Sequence, residues 1–321
     1  MFHLFSLFSK YRSELMGISM IMVMIFHTAN PSVHLFGIEM CPLKRGDLGV
    51  DFFLVLSAIG CYFSLSKNVE LLSFYKKRII RIIPTFVVCA FLYSVVLYYT
   101  KGRPLSSFWE YVTMYALLKG DIAFWYIGNI MVCYLAMPFL YKLSGNKKMY
   151  LLFAALFTLL MFGPIYHYVG YGVSICRFPI FVISVPIAKT IYENKNKSDY
   201  VITKQTFAML TMIAIICYIL TTIVFSGEFG KYLSYLIVCI PILLWLAICV
   251  SMTPVSIRMI LAFVGGISLE IYLLHSLIIA PVLHIFIQNI PVLFICSAIV
   301  TIALGHLLHK IMNHVTNVLP Y

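Results

Sequence analysis

The chain has 321 residues, of which 62% are hydrophobic and 11% are charged, and its mean hydropathy is +0.99. A soluble domain of this length needs far more polar surface, so the composition excludes one. The formal charge of +12 does not indicate a nucleic-acid partner. The lysines and arginines lie in short segments between apolar runs, where they set membrane topology. We therefore interpret the chain as a polytopic membrane protein.

Ten segments are long and apolar enough to cross a bilayer, which takes about 20 mainly apolar residues. They lie near 14–30, 48–66, 79–100, 124–141, 149–167, 172–191, 203–225, 231–250, 263–287 and 291–312. The predicted fold is an all-α bundle of about 10 transmembrane helices. We expect it to form one domain over residues 1–321 with no appended soluble domain.

The distribution of basic residues predicts the orientation of these spans. With the N-terminus inside, sixteen of the 23 lysines and arginines fall in cytoplasmic segments and six in outer ones. This bias predicts that both termini are cytoplasmic. The outer segment 101–123 carries Trp109, Tyr111 and Tyr115 at nearly helical spacing. We expect it to lie at the outer interface, as a functional loop or as an aromatic anchor.

The nine cysteines show no spacing typical of a redox motif or a metal site. Eight lie inside apolar runs and Cys41 alone lies in a loop, without a CxxC pair or a Cys/His cluster at metal spacing. We read them as buried apolar thiols and predict no metal site.

The first span ends in an ionisable residue, His27, within the run MIMVMIFHT. At 1.5 Å per residue, His27 lies about 22 Å from Arg12 along a continuous helix, past the midplane of the bilayer and towards the outside. Histidine suits proton abstraction because its ordinary pKa lies near neutrality. The alternative is a histidine that only bonds a neighbouring helix.

A cluster of cations opens the third span, in FYKKRIIRIIP at residues 74–84. Arg78 and Arg81 are three residues apart, so they share a helix face and can bind one anion together. The alternative is topology determination with contacts to lipid headgroups.

The second span opens with RGDLGVDFFLVLSAIG at residues 45–60, which carries two aspartates. Asp47 is predicted to cap the helix N-terminus. Asp51 lies one turn deeper, where a carboxylate needs a partner such as Arg45, His27 or a bound ligand. A structural ion pair is the alternative.

The run GGISLEIYLLHSLI at residues 265–278 carries a polar stripe. Ser268, Tyr272 and His275 share one helix face. Glu270 lies off that face and is expected to pair with Arg177 within the bundle, because lone charges in a membrane are costly. The polar side chains of this stripe either take part in a reaction or form hydrogen bonds between helices.

These motifs occur in an order that resembles the acyltransferase-3 family, integral membrane acyltransferases that modify cell-surface sugars and lipids. The resemblance covers nearly the whole chain and is carried by VMIFHT with His27, GVDFFLVLSAIG, FYKKRIIRIIPTF with Arg78 and Arg81, FWYIGNIMVCYLAMP with Trp125, and GISLEIYLLHSLI. The family usually has an arginine eleven residues before the histidine, where this chain has Met16. Arg12 stands one turn below and is the candidate to replace it.

The resemblance implies that acyl-coenzyme A, usually acetyl-CoA, is a co-substrate, with no bound cofactor. Arg78 and Arg81, helped by Arg12, are expected to bind its phosphates. His27 is expected to take a proton from the acceptor hydroxyl, and Asp51 is the second catalytic candidate. The expected supporting polar residues are Ser268, Tyr272, His275, Trp125, Arg177 and Glu270.

The predicted function is O-acetyl transfer from cytoplasmic acetyl-CoA to a surface polysaccharide, a lipid-linked sugar or another envelope glycan, in the lipids of a bacterial-type inner membrane. One alternative is another acyl group, such as succinyl, or an amine acceptor. A second is a transporter in which His27, Asp51 and Arg177 couple transport. A third, raised by Met16, is an inactive homologue that acts as an assembly partner. The sequence identifies neither the acceptor nor the oligomeric state.

Overall fold

The computed structural model of the chain describes residues 4–28, 34–35, 38–39, 45–165, 172–194, 203–219 and 228–318. The helices of the first half are α1 Leu4–Lys10, α2 Arg12–Thr28, α3 Leu48–Leu65, α4 Leu71–Lys101, α5 Ser107–Val112, α6 Tyr115–Leu118, α7 Trp125–Leu143 and α8 Lys147–Leu160. Those of the second half are α9 Gly172–Ile175, α10 Phe178–Asn194, α11 Lys204–Ile219, α12 Glu228–Met252, α13 Val255–Gly266, α14 Ser268–Leu274, α15 Ala280–His284 and α16 Ile290–Val318. Turns of π-helix follow α8 at Met161–Ile165 and α14 at His275–Ile279, and the short strands β1 His34–Leu35 and β2 Ile38–Glu39 pair antiparallel.

Within the described residues, six helices are long and apolar enough to cross a membrane: Leu48–Leu65, Leu71–Lys101, Trp125–Leu143, Val173–Asn194, Phe229–Met252 and Pro291–Thr316. Val255–Gly266 and Ser268–His284 make a seventh if they form one broken span. A helical, multi-pass membrane fold is therefore confirmed. The other three predicted spans contain α2, α8 and α11, which have 17, 14 and 16 residues. The count of ten and the orientation of the termini stay predictions.

The chain divides into two compact units, each made of segments distant in sequence. The first unit comprises Met1–Ser19, Asp47–Leu71 and Val132–Gly266. The second comprises Met20–Gly46, Leu72–Met131 and Ile267–Tyr321. That residues 1–321 form one functional domain stays a prediction.

Helix α3 forms the core of the first unit. Phe52, Leu54, Leu56 and Ala58 on this helix are all 0% exposed, and α3 packs along α10. A helix that is apolar on every face is one that other helices surround. Sequence reasoning placed this span correctly because its hydropathy is high over its whole length.

Two glycines allow α2 and α13 to touch backbone to backbone within the first unit. A Cβ atom on Gly17 would lie 2.1 Å from the carbonyl oxygen of Leu261, and one on Gly265 would lie 1.8 Å from that of Ser13. Real atoms do not approach so closely, so only glycine fits at either position. Small residues at such crossings are typical of membrane helix pairs.

We expect Gly265→Ala to destabilise the protein strongly, because the added methyl group forces the two helices apart. Overpacking of this kind costs about 1–3 kcal/mol or more. Gly266→Ala is the matched control, because a Cβ atom there meets nothing within 4 Å. The thermal midpoint of purified protein in detergent measures both effects. Equal midpoints for the two variants would contradict the close crossing.

Helix α4 is the longest element of the second unit and has one buried face. Ile82, Phe86 and Cys89 are buried, whereas Phe91 is 51% exposed and Tyr99 81% exposed. Exposed apolar side chains on a spanning helix are suited to contact with lipid. Pro84 lies inside this helix.

The segment 101–123 folds into the short helices α5 and α6 and is held by a polar cluster. Arg103 donates to the hydroxyl of Tyr111 over 2.9 Å and to Asp121 over 3.1 Å, and the Tyr111 hydroxyl donates to Asp121 over 2.9 Å. Burial and the bond with Asp121 raise the pKa of Tyr111 above that of an ordinary tyrosine. Trp109 is 65% exposed and Tyr115 is 51% exposed. Their predicted place at a membrane interface stays a prediction.

The cysteine side chains that the structure describes are largely buried. Cys61, Cys89, Cys133, Cys176 and Cys239 are buried, and Cys249 and Cys296 are half-buried. Cys41 and the side chain of Cys217 lie outside the described residues. The prediction of buried thiols is confirmed for five of the seven described side chains.

Candidate active site

Two histidines that lie far apart in the sequence meet in the second unit. His27, near the end of α2, faces His275, with ring centroids 5.0 Å apart and an interplanar angle of 64°. The His27 side chain is exposed, whereas His275 is only 3% exposed. The sequence predicted both as site residues without pairing them, and the structure brings them together.

The position of the hydrogen on the buried His275 ring follows from its contacts. Its Nδ1 atom lies 3.0 Å from the carbonyl oxygen of Ile271 and 2.9 Å from that of Tyr272. Carbonyl oxygens only accept hydrogen bonds, so Nδ1 carries a hydrogen. The Nε2 atom is buried and has no hydrogen-bond partner among the described residues. In the neutral ring, Nε2 is therefore the acceptor.

A row of aromatic side chains begins at His275 and continues through Tyr272 and Tyr126. The ring of Tyr272 lies 5.9 Å from that of His275 and 5.0 Å from that of Tyr126, centroid to centroid. Trp125, the predicted residue of the fourth span, packs against Tyr126 at 6.0 Å. Ser268 begins α14 one turn before Tyr272. The predicted polar stripe thus ends at the histidine pair, where a π-helical turn begins.

The predicted anion site lies in the first part of α4. Arg78 donates to the carbonyl oxygen of Phe74 over 2.7 Å, and its guanidinium carbon lies 3.4 Å from the centroid of the Phe74 ring. This contact combines stacking with a cation–π attraction. Arg78 is therefore held against the helix that carries it.

Arg81 makes an ion pair that the sequence did not predict. It donates to the Glu270 carboxylate over 2.5 and 3.0 Å, and His309 also contacts this carboxylate, with its Nδ1 atom 3.0 Å away. The expected pairing of Glu270 with Arg177 is wrong. Arg177 is occupied by two aspartates of its own unit, and α14 presents Glu270 to α4 and α16 instead.

The buried charge cluster of the first unit is centred on Arg177, which is 1% exposed. Its Nη1 atom donates to Asp51 and, over 3.1 Å, to the carbonyl oxygen of Asp47. Its Nη2 atom donates to the Asp47 carboxylate over 3.1 Å, and its Nε atom donates to the carbonyl oxygen of Val173 over 3.1 Å. A buried charge needs this degree of pairing.

Asp47 and Asp51 both serve this cluster. Asp47 also accepts from Lys231 and from the Tyr235 hydroxyl, each over 2.6 Å. Asp47 occupies the predicted N-cap position of α3, but its side chain makes no capping hydrogen bond and contacts these partners instead. Asp51 is 0% exposed and finds its partner in Arg177. A catalytic role for Asp51 stays a prediction.

One helical segment of the second unit carries both His275 of the histidine pair and Glu270, the partner of Arg81. Glu270 and His275 are five residues apart on α14 and the turn that follows it. Their separation along the helix axis is about 7.5 Å. A base candidate, His27, and an anion-binding candidate, Arg81, therefore contact the same short segment.

Comparison with known families gives this geometry a context. Residues 15–310 match the family model of the acyltransferase-3 group, described as an acyltransferase domain. The chain belongs to the acyltransferase-3 family. The protein ORF330 of Acidianus two-tailed virus, which is named as a proposed acetyltransferase, is similar to this chain. The two are 25% identical over 262 residues, which are 76% of this chain and 77% of the viral protein. No solved structure matches. Acyl transfer is thus the reaction class that both comparisons support.

Arg12 lies just outside the part of the chain that matches the acyltransferase-3 family. Its Nε atom donates to the carbonyl oxygen of Leu56 over 3.1 Å, and its guanidinium packs on Gly60. Both contacts are within the first unit. A donor-binding role in which Arg12 replaces the arginine missing at Met16 stays a prediction.

Proposed function

We propose that the protein transfers an acetyl group from acetyl-CoA to a hydroxyl group of an envelope glycan or lipid-linked sugar. Membership of an acyltransferase family supports the reaction class. The main support for the proposal is a pair of contacts made by the segment from Ser268 to Ile279. In this segment His275 faces His27, and Glu270 pairs with Arg81. This arrangement supplies a proton acceptor and an anion-binding side chain close to one another.

The cations at the start of α4 suit the phosphates of coenzyme A. Arg78 and Arg81 share a helix face with the spacing that allows two guanidinium groups to bind one anion. Lys76 and Lys77 add positive charge in the same turn. In this proposal the acyl-CoA binds from the cytoplasmic side, in the inner membrane of a bacterial-type cell.

The reaction begins when His27 accepts the proton of the acceptor hydroxyl. The oxygen attacks the thioester carbonyl, and a tetrahedral oxyanion forms, for which the hydroxyl groups of Tyr272 and Ser268 or an arginine are the candidate donors. The carbon–sulfur bond then breaks, and the coenzyme A thiolate takes the proton from His27. The products are the acetyl ester and free coenzyme A, and His27 returns to its neutral form.

Arg78→Ala is expected to raise the acetyl-CoA concentration needed for half-maximal transfer by about tenfold or more, since a hydrogen bond to a charged group contributes about 1.5–3 kcal/mol. Lys148→Ala is the control, because it removes the same charge from an exposed position outside α4. Initial rates of labelled acetyl transfer over a range of donor concentrations measure both. Equal donor dependence in the two variants would leave the arginines without a donor-binding role.

A further inference from the structure

The ion pair between Arg81 and Glu270 fixes the plane of the guanidinium. The two terminal nitrogens of Arg81 each donate to one oxygen of the carboxylate, over 2.5 and 3.0 Å. Two parallel bonds of this kind allow one orientation only. The Arg81 side chain is 39% exposed and the Glu270 side chain 0% exposed. The carboxylate therefore holds the guanidinium from the buried side.

A second layer of contacts holds the carboxylate. The Nδ1 atom of His309 lies 3.0 Å from Glu270 Oε1, and the amide nitrogen of Asn313 lies 2.9 Å from His309 Nε2. The amide nitrogen only donates, so Nε2 of His309 accepts and Nδ1 carries the hydrogen. The chain of hydrogen-bond donors then runs from Asn313 through His309 to Glu270.

The sequence of α16 is suited to this contact. Thr301, Gly305, His309 and Asn313 recur every four residues and so lie along one face. A Cβ atom on Gly305 would lie 3.3 Å from Ile271 Cγ1 and 3.7 Å from Glu270 Cβ. The missing side chain lets α16 approach α14, and one turn further on His309 reaches the carboxylate.

We propose that Glu270, His309 and Asn313 are positioning residues that hold the Arg81 guanidinium ready for a phosphate group of the acyl donor. This inference rests on the proposed function. A free arginine side chain loses rotational freedom when it binds an anion, and a side chain that is already ordered loses less. His309 and Asn313 do not touch the donor in this account. They act through Glu270, and Glu270 acts through Arg81.

The test compares coenzyme A binding to the purified full-length protein, by calorimetry in detergent, with the kinetics of acetyl transfer. His309→Ala is expected to weaken coenzyme A binding by about fivefold to tenfold and to raise the donor KM equally. The kcat at saturating donor is expected to stay within about twofold, because the positioning chain acts on binding. His309→Asn is expected to restore most of the affinity, since its amide can replace the Nδ1–H donor. The control is His314→Ala, an exposed histidine of the same helix.

The outcomes separate the inference from the proposed function. Wild-type protein that binds no coenzyme A would overturn the proposed function and the inference with it. Wild-type binding with unchanged affinity in His309→Ala would overturn the inference alone. So would an asparagine variant no better than the alanine variant. A fall in kcat without a change in KM would also overturn it, because it would place His309 in the chemical step.

Discussion

His27→Ala is expected to lower the rate of acyl transfer by about 10²–10⁴-fold, the usual contribution of a general base. The protein is expected to stay folded, because the His27 side chain is exposed and its loss leaves no buried cavity. Binding of coenzyme A is also expected to persist, since the arginines of α4 are untouched. The measurement is initial rate at saturating donor, with protein amounts matched by quantitative immunoblotting.

The matched control for this variant is His284→Ala, which removes another exposed histidine from the second unit. Its rate is expected to equal that of the wild type. A His27→Ala rate within about threefold of the wild type would exclude His27 as the base, because general-base catalysis contributes more than that. His275 and Asp51 are then the next residues to replace.

Arg177→Met is expected to prevent stable folding. The change leaves two buried carboxylates, Asp47 and Asp51, with Lys231 as their remaining cation in the cluster. Breaking a buried ion pair from one side costs about 3–5 kcal/mol, which is a large share of the stability of most domains. The yield of protein in the membrane and its thermal midpoint in detergent measure the loss.

Lys189→Met is the control for this second prediction. Lys189 also carries a positive charge on the first unit, but its side chain is 29% exposed, its contact with Glu193 spans 3.9 Å, and it also donates over 2.9 Å to the carbonyl oxygen of Ser144, which is uncharged. Exposed pairs contribute about 0–1 kcal/mol. Equal stability of the two variants would mean that the Arg177 cluster does not support the fold.

The membrane fold and the main motifs were readable from the sequence because they depend on local patterns. Hydropathy alone located α3, α4, α7, α12 and α16. The spacing of Arg78 and Arg81 and the polar stripe ending at His275 follow from helix geometry. Five motifs in one order were enough to indicate the family that the comparison then confirmed.

The pairing of charges between helices was not predictable in the same way. The sequence predicts a pair of Glu270 with Arg177 because each needs a partner, yet the actual partner depends on which helices pack together. The close approach at Gly305 brings α16 to α14 and so places His309 at Glu270. The spacing of Thr301, Gly305, His309 and Asn313 is the pattern in the sequence that indicates this contact face.

The side-chain contacts of Asp47 were also not predictable from the local sequence. An aspartate just before an apolar helix is typical of an N-terminal cap. Here its carboxylate faces Arg177, Lys231 and Tyr235 instead. The capping preference of aspartate is overridden because three groups from elsewhere in the unit make stronger, buried interactions with this carboxylate.

The measurement that tests the central claim most directly is transfer of labelled acetyl from acetyl-CoA to envelope glycan. Membranes that contain the wild-type protein are compared with matched membranes that lack it, with and without acetyl-CoA. The account predicts ester-linked label in the glycan that depends on both the protein and the donor. Labelling that is the same without the protein would contradict it. Movement of an already acetylated glycan across the membrane without any acyl-CoA would contradict it as well, and would indicate transport.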